Sequence, residues 1–271
     1  MKEFRNSNYV NFKYAKGKTD IYGKTFHDYY ELFLLLIGDV EFINNHTRQT
    51  IKPFQLFIIP PGEYHQFIVT ENIENYERCV IEIHPGLIDT GILDSALEGK
   101  EVISLTDGDR ITKHFLYLID CLSAVKDSDY PYILSAVTTD IIFLIKNSTD
   151  AGKLFNENLC PLSLKLMEYL NEHFSEQLDL DLLSGIFYCS VSSMCHIFKR
   201  DFGISIKKYI LQKRMNASKM ALQCGEKPED VSVRYGFSNY STFYRDYKKN
   251  FGIAPSETSN KKYPLTKQKN M

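Results

Sequence analysis

Several features that would fix a chemistry are missing from this 271-residue chain. No run of about 18 consecutive apolar residues occurs, so nothing predicts a membrane span. Met1 to Asp20 is polar and mixed in charge, without the basic-then-apolar order of a secretory signal. A cytoplasmic protein is expected. The six cysteines (Cys79, Cys121, Cys160, Cys189, Cys195, Cys224) include no CxxC pair. That argues against a zinc ribbon and for reduced thiols. Cys189 and Cys195 read as small residues packing a helix pair; a redox switch is the sharper alternative. There is no nucleophile elbow and no phosphate-binding glycine loop. No catalytic residue, cofactor or resident metal is expected, and the chain is not expected to be an enzyme.

What is present divides in two. Hydrophobic residues make up 44% of the chain, enough for packed cores, and the length suits two domains. The net charge of −2 hides a split: residues 1–159 carry 15 basic and 23 acidic side chains, residues 160–271 carry 17 and 11. A basic half of this kind suggests a polyanionic partner. The same half holds an internal repeat. Leu183 to Ser205 and Val231 to Ala254 match in kind at Ser184 and Ser232, Ser190 and Ser238, Lys199 and Lys248, and Phe202-Gly203-Ile204 and Phe251-Gly252-Ile253. One extra residue lies between the serine pair and the glycine pair. Each copy reads as a short helix, a turn and a second helix closed by glycine, the unit that places a helix in a DNA major groove.

The first ~110 residues read as β-rich. Strands are expected at Leu32–Ile37, Val40–Asn44, Gln55–Ile59, His65–Val69 and Cys79–Ile83, with turns at Asn44-Asn45 and Pro60-Pro61-Gly62. The period then becomes helical at Asp109 to Leu122 and Tyr132 to Ile145. The apolar stripes of these two helices suggest dimerisation. Residues 149–161 read as a linker, 162–258 as a helical domain, and 259–271 as a polar tail. The fold expected is α+β: an N-terminal β-barrel with dimerisation helices over residues 1–148, then an all-α domain with two helix-turn-helix motifs.

In the first motif, Ser190 is expected to cap the helix Val191 to Phe202, with Met194, Ile197 and Phe198 inward. Ser192, Ser193, Cys195, His196 and Lys199 then face outward, where small polar groups and a cation reach base edges and phosphates. In the second, Gly236 makes the turn, Phe243 and Tyr247 pack, and Asn239, Ser241, Thr242, Arg245, Lys248 and Lys249 face DNA. Arg245 suits guanine and Asn239 suits adenine as two-point partners. A connecting helix from about Ser205 to Leu222 spans ~26 Å. Its Lys207, Lys208, Lys213, Arg214 and Lys219 are expected to supply backbone attraction, chiefly Lys208 and Arg214.

These residues resemble the DNA-binding domain of the AraC/XylS family of transcription regulators. The family's second-copy signature reads here as Gly236-Phe237-Ser238-Asn239-Tyr240-Ser241-Thr242-Phe243, then Tyr247-Lys248-Lys249, Gly252 and Ala254-Pro255; the connecting-helix motif reads as Arg214-Met215 with Ser218. Ser184, Ser232 and Tyr235 depart from it, the serines standing where alanine is usual. The N-terminal half resembles the two cupin motifs at His27, Glu31 and Gly38, then Pro60-Pro61-Gly62 and His65, with Thr25 where metal cupins have a further histidine. Three readings stand side by side. His27, Glu31 and His65 bind a small molecule without metal, they hold a metal as two histidines and a carboxylate, or they only pack the barrel. The first is adopted, with Tyr30 and Tyr64 in the ligand set and Tyr29, Phe33 and Phe67 as further stacking surfaces. The resemblance implies a regulator, activating by expectation, that answers to a small molecule, a carbohydrate by expectation. Its implied partners are double-stranded DNA, the effector, RNA polymerase and a second copy of the chain. The rivals are a ligand-independent dimeric regulator and a metal cupin enzyme fused to a DNA-binding domain.

Overall fold

The computed structural model describes residues 2–7, 9–17, 26–71, 73–149, 151–152 and 159–258. In chain order the elements are β1 (Lys2–Asn6), β2 (Val10–Lys16), β3 (Tyr30–Ile37), β4 (Asp39–Asn44), β5 (Arg48–Ile51), β6 (Gln55–Ile59), β7 (His65–Glu71), β8 (Glu77–Ile83), α1 (Thr90–Leu97), β9 (Val102–Ser104), α2 (Arg110–Ala124), α3 (Tyr130–Lys146) and β10 (Ala151–Gly152). There follow α4 (Pro161–His173), α5 (Leu180–Ile186), α6 (Val191–Phe202), α7 (Ile206–Gln223), α8 (Pro228–Arg234), α9 (Tyr240–Phe251) and α10 (Pro255–Thr258).

The strands form a seven-stranded sheet in the order β1-β2-β8-β3-β6-β9-β10 and a three-stranded sheet in the order β5-β4-β7, with every pair antiparallel. Strand β3 shows why the two sheets stay together. Its residues are apolar on both faces, and side chains alternate along a strand. Phe33 and Leu35 point into a core shared with Val40, Phe42, Phe57 and Phe67. Tyr30, Leu32, Leu34 and Leu36 point the other way, into a core covered by the helices. Burying each such leucine or phenylalanine stabilises by ~1.5–3 kcal/mol.

The expected strands are all present, and β1, β2, β5, β9 and β10 add to them. Strand β2 lies in the segment read as polar and mixed; its Val10, Phe12 and Tyr14 are buried at period two. Helices α2 and α3 sit where the period changed, but their stripes have another use. Ile111, Phe115, Leu118, Leu122, Ile141 and Ile145 all pack onto the seven-stranded sheet of the same chain. The apolar stripes therefore give no ground for dimerisation. Strand β10 falls inside the expected linker and pairs with β9; the expected tail at 259–271 lies outside the described residues. Among the described residues no single helix is long and apolar enough to cross a membrane.

The second half is two helix-turn-helix units joined by α7. Leu166, Leu170, Leu183, Met194, Phe198 and Phe202 make the first core, and Met215, Leu222, Val231, Phe243 and Tyr247 the second. The caps fix the register of the repeat. Ser190 Oγ accepts from Ser193 N, and Asn239 Oδ1 accepts from Thr242 N. Ser190 is thus matched by Asn239, not by Ser238. The turn residues are Tyr188 and Gly236, both with positive φ (50° and 72°). So the extra residue lies between turn and cap. At Gly236 an added Cβ would stand 2.4 Å from Ser175 O, while Tyr188 is 96% exposed.

These two turns predict opposite outcomes. Gly236→Ala should destabilise by ~2 kcal/mol or more, through strain plus a backbone clash. Tyr188→Gly should be neutral or stabilising by up to ~1 kcal/mol, because only the left-handed strain is relieved. Urea denaturation of both variants checks this. Equal destabilisation would contradict it.

Candidate functional sites

The two second helices, α6 and α9, present their polar faces as expected. On α6, Ser192, Ser193, His196 and Lys199 are exposed while Met194, Phe198 and Phe202 are buried. On α9, Ser241, Arg245, Lys248 and Lys249 are exposed while Phe243 and Tyr247 are buried. Each helix ends at a left-handed glycine, Gly203 or Gly252. Three of the expected contacts change. Cys195 is half-buried and packs on the first core. Thr242 is half-buried, and its backbone N–H is taken by the cap. Asn239 is exposed, and its Oδ1 accepts the capping N–H of Thr242, which ties the amide to the start of α9.

The larger correction concerns α7. Arg214 is half-buried, and its guanidinium donates to the carbonyls of Phe174, Glu176 and Gly236. Its guanidinium is taken up in tying the end of α4 to the turn of the second unit. Lys213 Nζ donates to Asn171 Oδ1, and Lys219 Nζ lies 2.9 Å from Asp28 Oδ1. Burial pushes the Lys213 ammonium down to about 8. Only Lys207 and Lys208, in the first turn, stay exposed for a polyanion. The sequence places these cations on one helix but does not say which of its faces is covered.

In the β-domain, His27, Glu31 and His65 do come together. Glu31 Oε2 lies 3.3 Å from His27 Nε2 and 3.7 Å from His65 Nε2, and all three residues are buried. Glu31 is on β3 and His65 on β7, so the group bridges the two sheets. Burial works to raise the Glu31 carboxyl, but the two rings beside it outweigh burial and hold it at about 2. Burial drives His65 down to about 4 against the pull of Glu31. The position of Thr25 lies outside the described residues.

Tyr30 and Tyr64 are not part of this group. Side-chain alternation puts Tyr30 on the opposite face from Glu31; its hydroxyl donates to Asp94 Oδ1, beside an open cleft of about 500 Å³ lined by Pro60, Glu63 and Leu97. Tyr64 is fully buried against the helical domain, and its hydroxyl donates to Phe202 O. Phe33 and Phe67 stack on each other within the core. Tyr29 lies beside the group, its ring stacked on His27 at 4.2 Å.

Four residues escaped the sequence reading. Tyr29 Oη donates to Glu82 Oε1, Asn11 Nδ2 donates to Glu82 Oε2, Lys13 Nζ pairs with Glu82, and Asn11 Nδ2 lies 3.1 Å from His84 Nε2. In register, Glu82 stands opposite both Glu31 and Asn11. The signal was present: polar residues at alternate positions of otherwise apolar strands mark a polar patch on one face.

Arg214→Ala should lower stability by ~2–4 kcal/mol, because three carbonyls lose a charged donor. Chemical denaturation of the full chain measures this. A loss under ~0.5 kcal/mol, the range of a plain surface substitution, would contradict the assignment.

A model of an AraC-like ligand-binding domain matches residues 10–136, and a model of a helix-turn-helix domain matches residues 183–261. The chain is 33% identical over 93 residues to the uncharacterized HTH-type transcriptional regulator YdiP of Escherichia coli, covering 34% of this chain and 31% of that one. It is 24% identical over 233 residues to the probable transcriptional regulator LumQ of Photobacterium leiognathi, covering 85% and 89%. It is 20% identical over 247 residues to the XylDLEGF operon transcriptional activator 3 of Pseudomonas putida, covering 84% and 72%. These names are those of regulators, not enzymes. The two domain models fall on the two halves that the structure separates, and the chain belongs to the AraC family of DNA-binding transcription regulators, with a ligand-binding domain ahead of its helix-turn-helix domain.

Proposed function

We propose that the protein grips double-stranded DNA with α6 and α9 together, each in its own major groove on one face of the duplex. The observation that carries this reading is the pair of exposed polar faces on two helices joined by one 18-residue connector. Successive major grooves recur every ~34 Å, a spacing that a connector of this length suits. Ser192, Ser193, His196 and Lys199 serve the first groove, and Ser241, Arg245, Lys248 and Lys249 the second. Lys208 attracts the phosphate backbone.

The β-domain answers to a small polar molecule. Buried His27, Glu31 and Glu82, with half-buried Tyr29, His84, Asn11 and Lys13 around them, support that, since together they offer donors and acceptors of both charge signs. A carbohydrate is one ligand class that stacking on Tyr29 favours. The signal has a short route. His27 O accepts from Asn216 of α7, and Asp28 accepts from Lys219 and Gln223 of α7. A ligand that shifts residues 27–29 shifts the helix between the two DNA-reading units, changing promoter occupancy or contact with RNA polymerase. By likeness to the named activator, activation is the expected direction. Dimerisation remains part of this reading, through the outer surfaces of α2 and α3, where Leu116, Tyr117, Tyr132 and Phe143 stay exposed.

Arg245→Ala should lower specific DNA affinity by ~1–3 kcal/mol, while Lys208→Ala should weaken binding to all sequences about equally. Binding to an operator selected from random DNA measures both. Unchanged affinity for the first variant, or a base-specific effect for the second, would remove those roles. Sedimentation at micromolar concentration should show a dimer. A monomer there would remove the dimer.

A further inference from the structure

The two DNA-reading units are built alike, but the β-domain holds them by different means. A helix leaves its last four carbonyls without partners of its own. At the end of α6 the β-domain supplies two of the missing donors. Arg48 Nη1 donates to Arg200 O at 2.6 Å, and the Tyr64 hydroxyl donates to Phe202 O at 2.8 Å. Arg48 is itself fixed, because its guanidinium also forks onto Glu41 at 2.7 and 2.9 Å. Its cross-strand neighbour is Ile43, which is buried in the first helical core together with Tyr64. Phe26 and Ile68 pack against the same core. The core of the first unit is therefore continuous with the β-domain.

The second unit has another kind of hold. Among the described residues, every member of its core lies in the helical domain. The β-domain reaches it through α7, where Asp28 accepts from Lys219 and Gln223, each at 2.9 Å. The half-buried Lys219 Nζ stands 5.4 Å from the centre of the Phe251 ring, at the end of α9. Parting an apolar core exposes it to water at a cost that grows with its area. Parting a polar contact exchanges each partner for water at a small net cost. The first hold is therefore stiff and the second adjustable. The stiff one also leaves the reading face clear. Ser192, Ser193 and His196 are exposed in the first half of α6, and the grip is on its last turn.

We propose that the β-domain governs the two units unequally: Arg48 and Tyr64 are positioning residues that hold α6 ready for its groove, and Asp28 is the clasp through which the effector moves α9. This inference rests on the two-groove reading of α6 and α9 and adds a division of labour to it. Helix α6 travels with the β-domain as one packed body, while α9 swings on α7. The first groove contact is then made in every state of the effector, and the second answers to it.

The test uses the full chain and an operator selected from random DNA. Footprints of Lys199→Ala and Arg245→Ala show which protected segment belongs to α6 and which to α9. Affinity is then measured on the intact operator and on two versions, each with one segment scrambled. Tyr64→Phe removes one hydroxyl and keeps the ring. It and Arg48→Ala should each weaken binding to the intact operator by up to about 10-fold, the scale of one hydrogen bond. That loss should persist when the α9 segment is scrambled and vanish when the α6 segment is. Arg48→Lys, which keeps a cation, should recover part of it. Asp28→Asn and, on the other side of the clasp, Gln223→Ala should show the reverse pattern. Circular dichroism checks the fold of each variant. If Tyr64→Phe does not fold, Arg48→Ala on the edge strand β5 decides. Losses shared equally by both segments, no loss at all, or a rise in affinity through the α6 segment overturns the proposal. A wild type that binds no duplex, or protects only one segment, sinks the proposed function instead.

Discussion

Helix α7 must satisfy polar partners in three directions at once, and the arrangement of both domains follows from that. Arg214 donates to carbonyls at the end of α4 and at the turn of the second unit. Lys213 and Tyr209 donate to Asn171, and the Tyr209 hydroxyl also lies 3.2 Å from Asn45 of the β-domain. Asn216, Lys219 and Gln223 hold His27 O and the Asp28 carboxylate. Charged groups this deep are stable only when partnered, and breaking such a pair is costly. One helix therefore sets the angle between the two DNA-reading units and the seat of the β-domain on them. Apolar contact adds to the seat, through Tyr64 stacked edge-on to Tyr209 and Ile43 in the first helical core.

The β-domain concentrates charge where a sandwich of sheets is ordinarily dry. Glu31 and Glu82 stand opposite each other in register, which on its own is destabilising. Lys13, Asn11 and Tyr29 offset Glu82, and the two imidazoles offset Glu31. A fold needing only a packed core would place leucine or valine at these positions. Their retention beside residues 27–29 makes the polar interior and the grip on α7 two ends of one short segment.

Much of this was readable from the sequence, for local reasons. The capping oxygen at Ser190, glycines at 203 and 252, and the helical spacing of Met194, Phe198, Phe243 and Tyr247 are all near-neighbour signals. The run Leu32–Ile37 reads as a strand, and it is one, buried from Leu32 to Leu36. What failed was partnership at long range. The cation at Arg214 has the same spacing whether it meets phosphates or carbonyls. Tyr30 differs from Glu31 by one position and so by one face of the sheet, which alternation alone would have shown. Tyr64 is buried by a domain that lies some 140 residues further along the chain. Strand β2 hid because Asn11 and Lys13 make Met1 to Asp20 polar and mixed in charge, whereas both side chains turn toward Glu82 of β8.

The central claim is that one chain engages two successive grooves with a fixed spacing. Hydroxyl-radical footprinting on an operator selected from random DNA tests it most directly. Two protected segments about one helical turn apart, on the same face of the duplex, are the result expected. Protection limited to a single groove segment, or no retention of duplex DNA at low salt, would contradict it.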